Sequence, residues 1–300
     1  MDARDLRPAG VHCPVIDGHA HSAGEFFRGE NIVRILDGLG VDKVILCPGP
    51  VNEPKKWPVP ALARVFKKRG LGLPGNRLLR LTAGYVAKRF DFDVNNAYVA
   101  SLARRFPGRI AQACWIDPGN AEVMRGLPAR HDEWKFKAVK LHQCYQRFRS
   151  DSPGMHELAR FAGDRGLPIF IHLYAKRDAI DLLKVVAAHP ETTFVIGHLL
   201  GLEVFAAADR SLLRSVHFDI SPPNLCPLRL VKRALKMFGA EKLLLGSDTP
   251  YGKDNLKMSI DRVRGLDITD GEKALILGGN ARRIYLGSDQ FNQFNVLIQK

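Results

Sequence analysis

Several classes of protein are excluded by what this chain lacks. It has only five cysteines in 300 residues (Cys13, Cys47, Cys114, Cys144 and Cys226). They are scattered, odd in number and without zinc-knuckle or redox spacing. That excludes a disulfide scaffold and leads us to expect reduced thiols in a cytoplasmic protein. No apolar run approaches the roughly 20 residues of a membrane-spanning helix. Asp2, Arg4, Asp5 and Arg7 stand where a secretory signal would need its apolar core. No glycine-rich dinucleotide fingerprint follows the first apolar strand. Acidic residues are missing from one stretch: between Pro54 and Phe90 there are ten Lys or Arg and no Asp or Glu, within a chain of net charge +14. Such a balance favours an anionic partner, whether an acidic substrate, a phosphate-rich surface or nucleic acid. The stretch lacks interleaved aromatics suited to stacking bases, so nucleic acid is not expected.

The chain does contain a regular alternation of apolar strands and amphipathic helices. Val15 and Ile16 are predicted to end a short first strand, stopped by Asp17 and Gly18 just before His19 and His21. Further strands are predicted at 43–47, 109–116, 136–142, 167–172, 193–198, 216–221 and 242–248, with helices between most of them, among them 202–213. The strand ends Trp115, His142, His172, His198, Ser221 and Asp248 follow one another at intervals of 27, 30, 26, 23 and 27 residues. Repeating units of this size with almost continuously apolar strands imply a parallel sheet covered by helices. Eight units in about 250 residues fit a (β/α)8 TIM barrel. A doubly wound open sheet would not readily bring the ends of strands one, four, five, six and eight together, whereas a closed barrel does. Residues 1–300 are therefore read as one domain. The connection from Cys47 to Trp115, 68 residues long, exceeds a normal unit by about forty. The excess, 48–92, is expected to form a lid-like, basic helical insertion after strand two, over the C-terminal face of the barrel where active sites lie. Leu78, Leu79, Leu81, Tyr85, Val86 and Phe90 beside Arg77, Arg80, Lys88 and Arg89 also suit peripheral contact with an anionic membrane surface through 54–90.

The residues that finish the strands are His19 and His21, Lys140 and His142, His172, His198 and Asp248. Side chains alternate along a strand, so His19 and His21 share a face. Histidines ending successive strands, with a His-x-His and a terminal Asp, are difficult to explain by packing, because buried polar groups need partners. They suggest metal-assisted chemistry. His19, His21 and His172 would be nitrogen ligands, and Asp248 a carboxylate ligand or the acceptor of a proton from water. A divalent metal suits this donor set, zinc first, with manganese and iron as alternatives. Zinc lowers the pKa of a water ligand towards about 7. His198 would polarise the substrate or relay a proton. Lys140 and His142 share one face of strand four and are expected to bind substrate. Lys140 could meet an anionic group, be carbamylated to bridge two metals, or act as the charge partner of His142.

These motifs resemble the amidohydrolase superfamily, and within it the amidohydrolase 2 family of metal-dependent hydrolases, which includes relatives of aminocarboxymuconate-semialdehyde decarboxylase. The matching residues are Asp17-Gly18-His19-Ala20-His21, Val139-Lys140-Leu141-His142, Ile171-His172, Gly197-His198 and Leu245-Gly246-Ser247-Asp248-Thr249-Pro250. The tail from Glu272 to Tyr285 resembles the family's closing helices. The resemblance implies a site of one or two divalent metals at His19, His21, His172 and Asp248, with His198 catalytic or at a second metal. Strand four departs from the family by continuing as His142-Gln143-Cys144, where relatives often have His-Pro.

The expected function is hydrolysis of a C–N or C–O bond in a small, anionic molecule, with Asp248 shuttling the proton. The alternative is a non-oxidative decarboxylase (a carbon–carbon lyase) on the same site. A metal-dependent nuclease and a non-catalytic binding protein rank below both. A homodimer is compatible with the sequence.

Overall fold

The structure, a computed structural model, describes residues 13–49, Arg80, 92–250 and 254–287. Apart from its ends and Arg80, the expected lid at 48–92 lies outside the described residues, as does the expected membrane contact through 54–90. Among the described residues no helix is long and apolar enough to cross a membrane.

Eight parallel strands run in sequence order around a (β/α)8 barrel, as the spacing predicts. They are β1 (Ile16–Ser22), β2 (Lys43–Pro48), β3 (Ile110–Trp115), β4 (Ala138–His142), β5 (Ile169–His172), β6 (Phe194–Ile196), β7 (Val216–Asp219) and β8 (Leu243–Leu244). The outer helices are α1 (Gly29–Leu39), α2 (Phe92–Arg105), α3 (Ala121–Trp134), α4 (Pro153–Gly163), α5 (Lys176–Ala188), α6 (Leu202–Ala206), α7 (Leu228–Phe238) and α8 (Asn255–Arg264). The tail forms α9 (Asp270–Ala274), one wide turn and α10 (Asn280–Leu286). Local chemistry sets the helix ends. Asn120 caps α3 by accepting from the N–H groups of Glu122 and Val123, Ser152 caps α4 just before Pro153, and Gly40 ends α1 in the left-handed region (φ 65°).

The pleat divides the strands into two sets. Val44, Leu46, Val139, Leu141, Ile169 and Ile171 pack outward beneath the helices. Ile45, Cys47, Ala138, Phe170, Val195 and Leu244 form the inner cluster, with Ala281 and Tyr285 of α10 packed against them. Lys140 and His142 share the inward parity of Ala138, and His172 that of Phe170. Alternation alone therefore aims these polar side chains into the barrel.

β1 runs on through Asp17 and Gly18, where the sequence predicts its stop, whereas β6, β7 and β8 end sooner than expected, β7 at Asp219 and not at Ser221. β6 stops at Ile196, and His198 lies in a 3-10 turn, Gly197–Leu199, with φ 59°. β8 ends at Leu244, and Asp248 takes φ 54°. Both residues thus leave the strand for a left-handed backbone before reaching the barrel mouth. Backbone hydrogen bonds from the segment after β8 to β1 close the barrel: Gly18 N to Leu245 O at 2.9 Å, Asp248 N to His19 O at 2.8 Å and His21 N to Thr249 O at 2.8 Å. The helix expected at 202–213 is also broken. α6 ends at Ala206, and Asp209 caps a separate 3-10 segment, Arg210–Ser215, by accepting from Ser211 N.

Candidate metal centre

The ends of β1 and β8 bring three donor atoms together. His19 Nε2 and His21 Nε2 are 3.2 Å apart, and Asp248 Oδ1 lies 3.8 and 3.6 Å from them. All three side chains are buried. His21 Nδ1 is 2.8 Å from the carbonyl of Pro48. A carbonyl only accepts, so Nδ1 carries the proton and Nε2 is left unprotonated. Lys140 Nζ donates to His19 Nε2 across 2.8 Å, so that nitrogen is an acceptor as well. Two imidazole lone pairs facing one another beside a carboxylate need a cation or a proton donor among them, a place that Lys140 Nζ takes at His19 and that a metal would take in its stead. This donor set therefore fits a divalent metal.

The remaining strand-end residues continue the cluster. The His198 ring lies 5.4 Å from that of His19 and 4.8 Å from that of His172. His172 stacks on His142 at 3.9 Å and 11°. Lys140 Nζ sits 4.1 Å over the Phe170 ring. All seven residues predicted from the sequence thus meet at one end of the barrel. The tightest ligand-atom triples are His19–His21–Asp248, His19–His198–Asp219 and His142–Cys144–His172, each with its atoms within 4.8 Å of one another. His172 therefore groups most tightly with His142 and meets the β1 pair by way of His198. Trp115 and Tyr145 wall the His142 side, at 5.8 Å (17°) and 4.6 Å (85°) from its ring. Gln143, which stands where relatives often have proline, serves the loops. It accepts from Tyr174 N and donates to Ser150 Oγ and Asp178 Oδ1.

Burial sets the electrostatics. It lowers His19, His21, His142 and His172 well below the usual imidazole range, helped at each by neighbouring positive charge, and it takes His198 down to about 3. Burial also lowers Lys140 and raises Asp248 well above the carboxylate range. Neutral imidazoles are the form that binds a metal, and a bound dication would reverse the cost of the Asp248 charge.

Asp17, Ser247, Asp219 and Ser221, to which sequence reasoning gave no role in the site, complete the surroundings. Asp17 accepts from Ser247 Oγ at 2.6 Å and Ser247 N at 2.9 Å, pinning the Asp248 segment to β1. Burial raises Asp17 to about 7. Asp219, at the end of β7, accepts from Ser221 Oγ at 2.7 Å and His198 N at 3.1 Å, and burial raises it to about 6. Gly246 passes so close that a Cβ there would stand 2.2 Å from Asp219 Oδ1. The available signal was an aspartate closing an apolar strand followed two residues later by serine, Asp219-Ile220-Ser221.

A parallel eight-stranded barrel with histidines and an aspartate converging at the strand ends defines a metal-dependent barrel enzyme. The chain belongs to the amidohydrolase family (Amidohydro_2), whose model matches residues 71–286. That match begins after β1 and β2, so His19 and His21 join the site through the fold. No curated protein matches the chain in sequence. Among solved structures, a dihydroxybenzoic acid decarboxylase from Polaromonas sp. JS666, with bound manganese and the inhibitor 2-nitroresorcinol, is 14% identical. The match covers 91% of this chain and 97% of that one, with a TM-score of 0.65. The 2,6-dihydroxybenzoate decarboxylase from Rhizobium is 14% identical, covering 91% and 98%, with a TM-score of 0.63. The 4-oxalomesaconate hydratase from Rhodopseudomonas palustris is 13% identical, covering 95% and 100%, with a TM-score of 0.64. At these identities the likeness shows the fold.

Proposed function

We propose that this enzyme hydrolyses a C–N or C–O bond in a small, anionic substrate, using a divalent metal held by His19, His21, His172 and Asp248. The observation that carries the reading is the pair of unprotonated Nε2 atoms 3.2 Å apart beside Asp248. Nitrogen and carboxylate donors suit zinc first, with manganese and iron next. When bound, the metal supplies Lewis-acid polarisation of a substrate oxygen and a more acidic water. The chain's own groups do the rest. Asp248, whose proton affinity burial raises, takes the proton released by water and passes it to the leaving group. His198 donates its Nδ1 proton to the Ser221 carbonyl at 2.6 Å. Its Nε2 is therefore an acceptor, which suits relaying a proton more than donating one to polarise a carbonyl. Lys140 and His142 bind the anionic part of the substrate. The buried thiols Cys47, Cys114, Cys144 and Cys226 are free, which suits a cytoplasmic protein. A homodimer and a membrane contact through 54–90 remain part of the proposal.

A second reading has its own support. Trp115, Tyr145 and the stacked His142–His172 pair form an aromatic wall against which a planar acid would lie. Two of the structural relatives are named as decarboxylases of dihydroxybenzoic acids. In that reaction His198 or Asp248 would protonate the ring carbon as carbon dioxide leaves. Product analysis in 18O-labelled water separates the two. Label in the organic product supports hydrolysis; carbon dioxide released beside an unlabelled organic product supports decarboxylation, and neither product across both substrate classes would refute both.

A further inference from the structure

The hydrogen bonds behind the site converge on one short segment. His19 Nδ1 faces Ser221 Oγ at 3.4 Å. That hydroxyl has one proton, and it donates it to Asp219 Oδ2 at 2.7 Å. Towards His19 it therefore offers a lone pair, and Nδ1 must carry the proton. The carboxylate stands 3.7 Å behind the same nitrogen and favours the same arrangement. The carbonyl of Ser221 accepts the His198 Nδ1 proton at 2.6 Å. Asp219 Oδ2 also holds the backbone N–H of His198 at 3.1 Å, in its left-handed turn. Ser221 itself is locked, since its N–H donates to Asp219 Oδ1 at 3.2 Å. The aspartate that ends β7 and a serine two residues beyond it thus touch the rear nitrogen of a β1 histidine and of the histidine that follows β6 together.

We propose that Asp219 and Ser221 are positioning residues that fix the tautomers of His19 and His198, so that both rings present an unprotonated Nε2 to the site. This rests on the metal reading for its consequence but not for its geometry. Outer partners of ligating histidines of this type typically change metal affinity by about 10–100-fold when removed. The unit serves His19 through a side chain and His198 through a carbonyl, so the two effects can be separated by mutation.

The test uses the full chain, 15N-labelled at histidine, as wild type, Asp219→Asn and Ser221→Ala. Long-range 15N–1H spectra of the metal-free protein report each tautomer, and zinc titration by competition with a chelator reports affinity. In Asp219→Asn an acceptor oxygen becomes an N–H donor, so the Ser221 hydroxyl or amide loses its acceptor. The freed hydroxyl then donates to His19 and shifts it towards Nε2–H. We expect that shift, together with a loss of zinc affinity of about 10–100-fold. In Ser221→Ala, His19 loses its serine partner and zinc affinity falls about 10-fold. His198 keeps its Nδ1 proton there, because the carbonyl remains. Ser221→Ala removes one oxygen only and carries the test if Asp219→Asn does not fold. Unchanged His19 tautomer and zinc affinity within about twofold in the folded variants would overturn the proposal. Wild type that binds no zinc yet shows the expected tautomer shifts would refute the metal reading while leaving the positioning role standing.

Discussion

The two sides of the barrel mouth use the same residue type in different ways. On the β1–β7–β8 side, His19, His21 and His198 each have Nδ1 directed at an oxygen: Ser221 Oγ, Pro48 O and Ser221 O. The Nε2 atoms of His19 and His21 face each other beside Asp248. On the β4–β5 side, His142 and His172 lie face to face at 11°, beside Trp115 and Tyr145. The two stacked planes offer a flat face as well as ring nitrogens at their edges. A strand-end histidine is therefore not a ligand by virtue of its position. What is hydrogen-bonded behind the ring decides where its lone pair goes. The comparison separates a side whose histidines are held from behind and converge beside Asp248 from a side that offers a stacked, flat wall, with His172, the fourth proposed ligand, at the join between them beside His198.

The largest effects should come from the first side. His19→Ala and Asp248→Ala each remove a donor directly. Zinc or manganese content, measured by elemental analysis, should fall by more than the roughly 100-fold at the upper end for outer partners, and turnover should fall with it. On the other side, His142→Phe keeps the stack but loses the polar nitrogens. It should retain metal within a few-fold and raise KM by about tenfold or more, the factor that one lost polar contact of about 1.4 kcal/mol supplies. Equal metal loss in His142→Phe and His19→Ala would erase the distinction between the sides.

Acid stability sharpens the same contrast. Histidines held low in the fold bind protons only when unfolded, so they contribute stability that is present above pH 6.5 and lost as pH falls towards their folded values. His198 and His217, both taken down to about 3 by burial, set the lower end of that window. Asp17 and Asp219, raised to about 7 and 6, act in the opposite sense. Their protonated forms are favoured in the fold, so their contribution is present below about pH 4 and lost as pH rises through 6 to 7. Among the described residues seven lowered histidines, His131 included, outnumber five raised aspartates, Asp117 and Asp178 included, so metal-free protein should melt at a higher temperature at pH 6.5 than at pH 4.5. In Asp17→Asn the gain over that interval should be larger. A melting temperature that falls over it in the wild type would contradict the balance of charges described for the site.

The smallest effect should lie outside the mouth. Asn280, buried at the start of α10, donates to the carbonyls of Ala240 and Leu243 at 2.8 Å each. Asn280→Ala should cost about 1–3 kcal/mol in urea unfolding with metal content unchanged. Metal loss there would show that the mouth is not insulated from the closing helices.

The fold was legible because its signal repeats. Eight apolar segments recur along the chain, and their near-constant spacing from the third onward needs no tertiary information. Site residues on the inward parity of a regular strand, Lys140, His142 and His172, could be read the same way. Two features were not legible from local pattern. The strands β6 and β8 end early because His198 and Asp248 take left-handed backbones, which their own residue types do not announce. The carboxylates behind the site make contacts between residues far apart in the chain: Asp17 meets Ser247 across 230 positions, and Ser221 meets His19 across 202. Only the closed barrel brings these into register. Gln143 shows the reverse case, a departure from family pattern whose role as a loop tie emerges only from its partners.

The central claim, that the β1–β8 side is a metal centre, is tested most directly by elemental analysis of the full chain purified without a histidine tag, alongside His19→Ala. About one or two equivalents of a divalent metal in the wild type, lost in the variant, is the predicted result. No bound metal, with no gain in melting temperature on adding zinc or manganese to either protein, would contradict it.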